Sequence, residues 1–229
     1  MTKRGSWLVV LLFASIGCGG SGGGAEPDAP GGCDPATVLP GGYRLIPMVS
    51  SGAITVTTAS GVTAGSIDAT AGGVNMSADN PYIYVDLRNS MKVAINDVEA
   101  RSSTSWDIAL KRSSLRTNSG DSGPGDRQVA VVQAATLNAV TAAPASGYAS
   151  DDFATDDCTL ESTIIGEPRS AFGDWYNYDE DTHVVTPKAE VYVVQRNNGS
   201  KTAFRIKAYY GDPAMPMRGA FYSVEWKQL

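Results

Sequence analysis

Histidine and cysteine are scarce in this sequence, and their scarcity limits the metal sites that it can form. The chain of 229 residues has one histidine and three cysteines, and they are too dispersed to supply the four ligands of a structural zinc ion. The Asp-x-Asp-x-Asp-Gly loop that is typical of a calcium site is missing, as is a phosphate-holding glycine loop between a strand and a helix. We therefore interpret the acidic groups at 151–152, 156–157 and 179–181 as solvated loop residues rather than metal ligands.

Basic stretches and helical patterns are also rare. Lys and Arg form no tract beyond the extreme N-terminus, and the sequence pI is about 4.8, which argues against a nucleic acid as partner. No long window has a helical period, whereas Thr, Val, Ser and Gly are abundant, and that balance favours strands and turns. Hydrophobic residues make up 42% of the chain, and its length suits one β domain of roughly 180–200 residues.

The first residues resemble a bacterial export signal. A basic start precedes a short apolar core at 7–16, which is too short to cross a bilayer and is expected to be removed. Small residues then precede Cys18, as in a lipoprotein signal, and Gly19 follows it, which resembles sorting to the outer membrane. We predict a signal peptide at 1–17 and lipid modification of Cys18. Ordinary secretion with Cys18 removed is the alternative.

A tether follows the predicted signal peptide. Residues 18–42 are rich in Gly and Pro and have too little apolar content to fold, so we expect a disordered tether in front of a β domain at 43–229. Cys33 lies in this tether, and Cys158 is its one potential partner in the mature chain. Export favours a disulfide between them over two free thiols. Because the formal net charge is −6, attachment to a membrane would depend on the acyl chains.

Strand signals recur from residue 43 to the C-terminus. The β-rich runs are at 43–49, 53–58, 62–67, 82–87, 91–95, 105–111, 129–133, 191–196, 202–210 and 221–226. The Asn-Asn-Gly-Ser segment at 197–200 is the strongest hairpin signal. We predict an all-β, many-stranded antiparallel domain, either a sandwich or a distorted barrel.

The run at 105–111 is the most specific of these strands. Trp106, Ile108 and Leu110 alternate with Asp107 and other residues, which predicts a strand with one buried face. We expect Trp106 to lie at the centre of the sheet packing.

A glycine-punctuated turn, RTNSGDSG, follows this strand. Its GDSG segment also occurs in the nucleophile loop of trypsin-like proteases. That chemistry needs a histidine base, and the single histidine, His183, follows Ser122 instead of preceding it. We interpret the segment as a turn.

The stretch at 142–188 has an irregular pattern and carries an aromatic group followed by the histidine. Trp175, Tyr176, Tyr178 and His183 could form one wall of a pocket for a flat, apolar ligand. In the alternative interpretation the aromatic residues attach a loop to the core and His183 lies on the surface.

Several of these segments resemble the HmuY family. The resemblance is carried by WDIALKR with RTNSGDSG, by the upstream YIYVDL, and by the closing AEVYVVQRNNGSKTAFRIKAYYGD and FYSVEW. It extends from about residue 78 to the C-terminus. HmuY-type proteins are bacterial outer-membrane lipoproteins that bind haem, so the resemblance implies an all-β, non-catalytic haem carrier at the cell surface. An outer-membrane receptor is then a candidate partner.

The resemblance also implies that two side chains hold haem iron, commonly two histidines and in some relatives methionines. A chain with a single histidine cannot supply a pair of histidines. Imidazole and thioether are both ordinary axial ligands, so the candidates are His183, Met215 and Met217, with Tyr148 as a further option. No metal other than haem iron is expected. The alternative function is a surface β domain that contacts a protein or glycan and lacks a haem site.

Overall fold

The computed structural model describes residue 33 and residues 45–71, 80–163 and 167–229. The predicted signal peptide, Cys18 and most of the predicted tether lie outside these residues. The described part contains one short α-helix, α1 (Asp97–Ala100), and two 3-10 turns, Gly120–Ser122 and Leu137–Ala139. Its strands are β1 Ile54–Ala59, β2 Val62–Asp68, β3 Ile83–Asp86, β4 Met91–Val93, β5 Ile108–Lys111, β6 Ser114–Thr117, β7 Gln128–Gln133, β8 Tyr176–Tyr178, β9 Val185–Pro187, β10 Glu190–Gln195, β11 Lys201–Ala208 and β12 Phe221–Gln228.

These strands form two large antiparallel sheets and a small hairpin. The six-stranded sheet has the order β1-β2-β12-β11-β10-β7, the four-stranded sheet has the order β4-β3-β5-β6, and β8 pairs with β9. The hairpin predicted at 197–200 joins β10 to β11, where Gly199 takes the positive φ of 83° that such a turn requires. The predicted antiparallel β fold is confirmed.

The main core lies between the two large sheets. It includes Ile83, Val85, Ile108 and Leu110 from the four-stranded sheet. Across from them lie Ile67, Tyr192, Val194, Phe204, Ile206, Tyr222, Val224 and Trp226 from the six-stranded sheet. Because the inner faces of two separate sheets share one core, the fold is a sandwich and not a barrel.

Each sheet also buries part of its outer face, which the sequence did not predict. On the four-stranded sheet, Trp106 packs with Tyr82, Tyr84, Ala100 and Ala109 in a second cluster. Trp106 is buried as expected, but it faces away from Ile108 and Leu110, because β5 begins only at Ile108. The prediction of one buried face is therefore wrong: all four residues of β5 are buried.

A buried ion cluster joins the two sheets near the start of β5. Asp107, with 2% of its side chain exposed, accepts hydrogen bonds from Arg127 Nε at 2.9 Å and Arg196 Nε at 2.8 Å. The backbone N–H of Leu87 donates to its other oxygen at 2.9 Å. Arg196 follows β10 of the six-stranded sheet directly, so this carboxylate connects the sheets. A carboxylate at such depth is tolerated because cations and donors surround it.

Two other segments differ from the prediction. Residues 45–49 of the run at 43–49 form no strand, because Ile46 donates its backbone N–H to the Asp97 carboxylate instead of to a sheet neighbour. The stretch at 142–188, predicted to be irregular, contains β8 and β9.

A disulfide joins Cys33 to Cys158 across 125 residues of sequence, the pairing that the sequence favours. Cys33 is 4% exposed, so this part of the predicted tether is attached to the domain.

Candidate functional site

His183 lies in the loop of the hairpin formed by β8 and β9. The carboxylate of Asp179 accepts hydrogen bonds from the backbone N–H groups of Asp181 at 3.0 Å and Thr182 at 2.8 Å, which fixes the loop. His183 then takes a left-handed backbone conformation, with φ of 58°, which is uncommon for a residue other than glycine. The loop therefore holds the histidine in a defined position at the surface of the domain.

The imidazole of His183 is paired with a tyrosine of the same hairpin. Its Nδ1 lies 2.7 Å from the hydroxyl oxygen of Tyr178, and the two ring centroids are 6.0 Å apart. This contact engages Nδ1, so Nε2 is the nitrogen suited to binding a ligand. The hydroxyl of Tyr178 is thus the group that orients the ring.

Trp175 and Tyr176 do not form a pocket wall. Both are buried, and Trp175 donates its ring N–H to the carbonyl of Ser113 at 2.9 Å. The Trp175 ring also packs on Tyr209 and Tyr222, at centroid distances of 5.8 and 5.5 Å. These contacts attach the hairpin to the main core. This agrees with the alternative interpretation of the sequence, in which the aromatic residues attach a loop to the core. Of the three predicted pocket aromatics, Tyr178 alone is half-buried and close to the surface.

Met215 and Met217 lie in the loop that connects β11 to β12. Both side chains are exposed, by 57% and 77%. The loop is attached at Arg218, whose guanidinium donates to the Thr70 hydroxyl at 2.5 Å and lies 3.4 Å from the Asp212 carboxylate. The two thioethers are therefore accessible on a loop whose C-terminal end is held in place.

Tyr210 contacts both the histidine hairpin and the methionine loop. Its hydroxyl accepts a hydrogen bond from the N–H of Val185, two residues after His183, at 3.1 Å. Gly219, two residues after Met217, lies so close that a Cβ there would be 3.3 Å from the Tyr210 ring and 2.8 Å from the Tyr209 ring. Tyr210 was not predicted as a site residue. The signals available for it were its place at the end of the 202–210 alternation and its presence in a segment that resembles the HmuY family.

Tyr148 is not brought together with these residues. It packs on the outer face of the six-stranded sheet, and the ammonium of Lys201 lies 5.4 Å from its ring centroid. Lys201 is the first residue of β11, and Tyr209 directly follows the last. Lys201, beside Tyr148, is therefore about 25 Å from Tyr209 along the strand at the usual rise per residue. Burial raises the pKa of the Tyr148 phenol, which disfavours the phenolate that would bind iron.

The GDSG segment forms a buried structural network. The hydroxyl of Ser122 donates to Asp151 Oδ2 at 2.5 Å, and the backbone N–H groups of Thr117 and Ala171 donate to the same carboxyl group at 2.9 and 2.8 Å. Ser122 is itself buried, and the histidine of the chain is engaged with Tyr178 instead. The segment thus connects a turn to residues 151 and 171 and provides no nucleophile.

Asp151 makes the stability of the domain depend on pH. Burial raises the pKa of this carboxyl group to about 6, although its three donors favour the ionised form. A raised pKa stabilises the folded state at low pH, and this stabilisation is lost as the pH rises from about 4 through about 6. Relative to Asp151→Asn, wild type should therefore lose roughly 2–3 kcal/mol of unfolding free energy over that range.

Urea unfolding at several pH values measures this difference. Asp156→Asn is a suitable control because Asp156 is an exposed aspartate of the same segment. Parallel pH profiles for wild type and Asp151→Asn would contradict the prediction.

Within the ranges that the structure describes, no three His, Cys, Asp or Glu side chains come together as a metal site. Among the same residues, no helix is long and apolar enough to cross a membrane.

Comparison with known proteins identifies a family and a fold. The family model described as HmuY protein matches residues 78–220, more than half of the chain. An apo HmuY analogue from Tannerella forsythia superposes with a TM-score of 0.52 at 16% identity, covering 79% of this chain and 97% of its own. A protein from Bacteroides fragilis, provisionally described as a lipoprotein, gives 0.53 at 18% identity, with coverage of 77% and 94%.

A third structure, from Bacteroides vulgatus and named as HmuY-like and haem-binding, gives a TM-score of 0.50 at 18% identity, with coverage of 79% and 97%. At such identities, these similarities show a shared fold. No curated protein sequence matches the chain.

Proposed function

We propose that this chain, which belongs to the HmuY family, is a non-catalytic carrier of haem or a similar flat ligand. The observation that carries this proposal is the arrangement around Tyr210, which contacts both the hairpin of His183 and the loop of Met217. An imidazole and a thioether on adjacent surface segments are a chemically suitable pair of axial ligands. A lipid on Cys18 would hold the carrier at the outer membrane or cell surface.

In this proposal His183 binds iron through Nε2. Coordination through Nε2 requires Nδ1 to carry the proton and to donate it to the Tyr178 hydroxyl, a contact that is present at 2.7 Å. Met217, which is more exposed than Met215, is the preferred second ligand. Because the side chains of His183 and Met217 are both exposed, the carrier could release haem to a partner such as an outer-membrane receptor.

The aromatic residues below this position would support a flat ligand. Tyr178 and Tyr210 are half-buried. Behind them, Trp175, Tyr209 and Tyr222 pack with tilted or edge-on rings, which gives the site a rigid base. An aromatic base of this kind suits a planar apolar molecule.

A hemin titration followed at the Soret band tests the ligand assignment. Wild type should give a shifted, low-spin Soret band. His183→Ala should lose the shift, and Met217→Leu should keep binding but move towards a high-spin spectrum, because leucine preserves volume without a sulfur ligand. Tyr178→Phe should weaken binding about tenfold, as the loss of a hydrogen bond behind a ligating histidine does.

Met91→Leu is the matched control, because Met91 is 54% exposed but lies on β4. It should bind hemin as wild type does. A Soret shift that survives in His183→Ala would remove His183 from the site. No shift in wild type would contradict haem binding and favour a surface β domain that contacts a protein or glycan.

A further inference from the structure

The strand β1 forms one edge of the six-stranded sheet, and among the described residues no strand lies on its outer side. Its antiparallel pairing with β2 runs without a bulge from Ile54 to Ala59. The two-residue turn that follows has the positive φ values of a tight hairpin, 51° at Ser60 and 76° at Gly61. β1 is therefore a regular strand with one free side.

The hydrogen-bond pattern determines which main-chain groups of β1 point to this free side. The N–H of Asp68 donates to the carbonyl of Ala53 at 2.9 Å, so residue 53 bonds to β2. Opposite residues of an antiparallel pair alternate between bonded and non-bonded pairs, so the odd-numbered residues of β1 bond to β2. The N–H and C=O groups of the even-numbered residues point outward, without a partner in the described part of the chain, and these residues are Ile54, Val56 and Thr58.

The other edges of the sandwich are protected against pairing with another chain. At the opposite edge of the same sheet, Val129 of β7 exchanges hydrogen bonds with Ala149 at 2.9 and 3.0 Å. β6 is buried along its whole length, and β4 has only three residues, one of them a lysine. Short strands, lysines and covering segments are the usual protection of an edge. β1 has six residues, four of them exposed, and none is charged or a proline.

The free side of β1 is complementary to a second copy of itself. A two-fold axis beside Val56 places this residue opposite its own counterpart and places Ile54 opposite Thr58. All three outward residues are then in hydrogen-bonded pairs, and each pair exchanges two hydrogen bonds. An axis beside Thr55 or Thr57 would leave one of the three without a partner in β1. The register around Val56 is therefore the one that satisfies the whole edge.

Side chains and charge agree with this register. Thr55 and Thr57 are exposed and would face each other across the junction, where pairs of threonines stabilise a sheet. On the other face, Ile54 and Val56 pack against the main core. The net charge of −6 makes copies repel each other, but residues 45–67 contain no Asp, Glu, Lys or Arg. Two copies can thus meet along β1 without bringing like charges of this segment together.

We infer that two copies of this chain associate edge to edge through β1, around a two-fold axis at Val56, and that their six-stranded sheets join into one continuous sheet. A two-fold contact closes on itself, so it produces a dimer and not a fibre. Main-chain hydrogen bonds supply the affinity, as in other additions of a strand to a sheet edge. One short edge buries less than the roughly 1,200–2,000 Å² of stable complexes, so the dimer should form reversibly. This inference does not depend on haem binding.

Paired cysteine substitutions test the register. Thr55 of one copy and Thr57 of the other would form a non-hydrogen-bonded pair with Cα atoms about 4.5 Å apart, a separation that a disulfide can bridge. Full-length Thr55→Cys protein is mixed with full-length Thr57→Cys protein in detergent solution, and disulfide-linked dimer is followed under mild oxidation. The mixture should cross-link several-fold faster than either variant alone, because identical positions are offset along the junction.

A mixture of Thr55→Cys with Val131→Cys is the matched control. Val131 is also exposed, by 42%, but lies on β7 at the opposite edge of the sheet, so this mixture measures random collisions. If the mixture of Thr55→Cys and Thr57→Cys cross-links no faster than this control, the contact through β1 is overturned. Thr55→Cys alone reacting as fast as its mixture with Thr57→Cys would overturn the two-fold register.

Amide hydrogen exchange of the unsubstituted protein provides an independent measurement. Exchange at Val56 and Thr58 should become several-fold slower as the protein concentration rises from micromolar to millimolar. Thr57, which bonds to β2 in either state, should be protected throughout. Val131 is the control, because it lies two residues after Val129 and its N–H also points outward, at the β7 edge; its exchange should not depend on concentration. Exchange at Val56 that is equally independent of concentration would contradict the dimer.

Discussion

Replacing Trp106 with alanine should lower the free energy of unfolding by about 3–5 kcal/mol, the usual cost of removing a large aromatic side chain from a core. Trp106 is 1% exposed, and its ring lies edge-on to Tyr84 with centroids 5.0 Å apart. Its ring N–H donates to the carbonyl of Ala100 at 3.3 Å. The alanine variant loses the packing on β3 and the contact with α1 together. Urea unfolding followed by circular dichroism measures the loss.

Trp106→Phe separates packing from hydrogen bonding at this position. Phenylalanine keeps most of the aromatic contact with Tyr84 but has no N–H for the Ala100 carbonyl, so about 1–2 kcal/mol should be lost. Equal losses for the two variants would show that the hydrogen bond, and not the packing, dominates. An alanine variant as stable as wild type would contradict the burial of Trp106.

The strand around Trp106 shows how far sequence periodicity reaches in this fold. Alternation identified a buried strand, and β5 is one. A prediction from alternating apolar and polar residues assumes that one face of the sheet is exposed to water. In this fold α1 and Trp106 cover the outer face of the four-stranded sheet. Asp107 was assigned to the exposed face for the same reason. Its partners Arg127 and Arg196 are 20 and 89 residues away in sequence, so nothing local indicated that this carboxylate could be buried.

The candidate site could be predicted only in part. The single histidine beside aromatic residues was visible in the sequence, and so were the two methionines in a loop. Which aromatic ring is buried depends on tertiary packing, and Trp175 turned inwards because Ser113 offers its carbonyl there. The position of Tyr210 beside the hairpin of His183 and the loop of Met217 depends on contacts such as the one with Val185, across 25 residues. Such contacts have no signature in a single sequence.

Removing the disulfide between Cys33 and Cys158 should lower the free energy of unfolding by about 4–5 kcal/mol. In the chain-entropy model the loss grows with the length of the closed loop, and this disulfide closes one with a sequence separation of 125. The double variant Cys33→Ser, Cys158→Ser should therefore unfold at a markedly lower urea concentration. Each single variant should lose at least as much as the double variant.

Wild type treated with a reductant is the natural control for the double variant. Its unfolding midpoint should fall to that of the double variant, and the reductant should leave the double variant unchanged. A loss below about 1 kcal/mol would mean that the unfolded chain is not constrained by the bond as the model assumes.

Because Cys33 lies between Cys18 and the domain, reduction should also release the N-terminal segment from the Cys158 loop. Limited proteolysis should then cut between residues 18 and 45 faster in reduced protein, while the β sandwich stays protected under conditions where it remains folded.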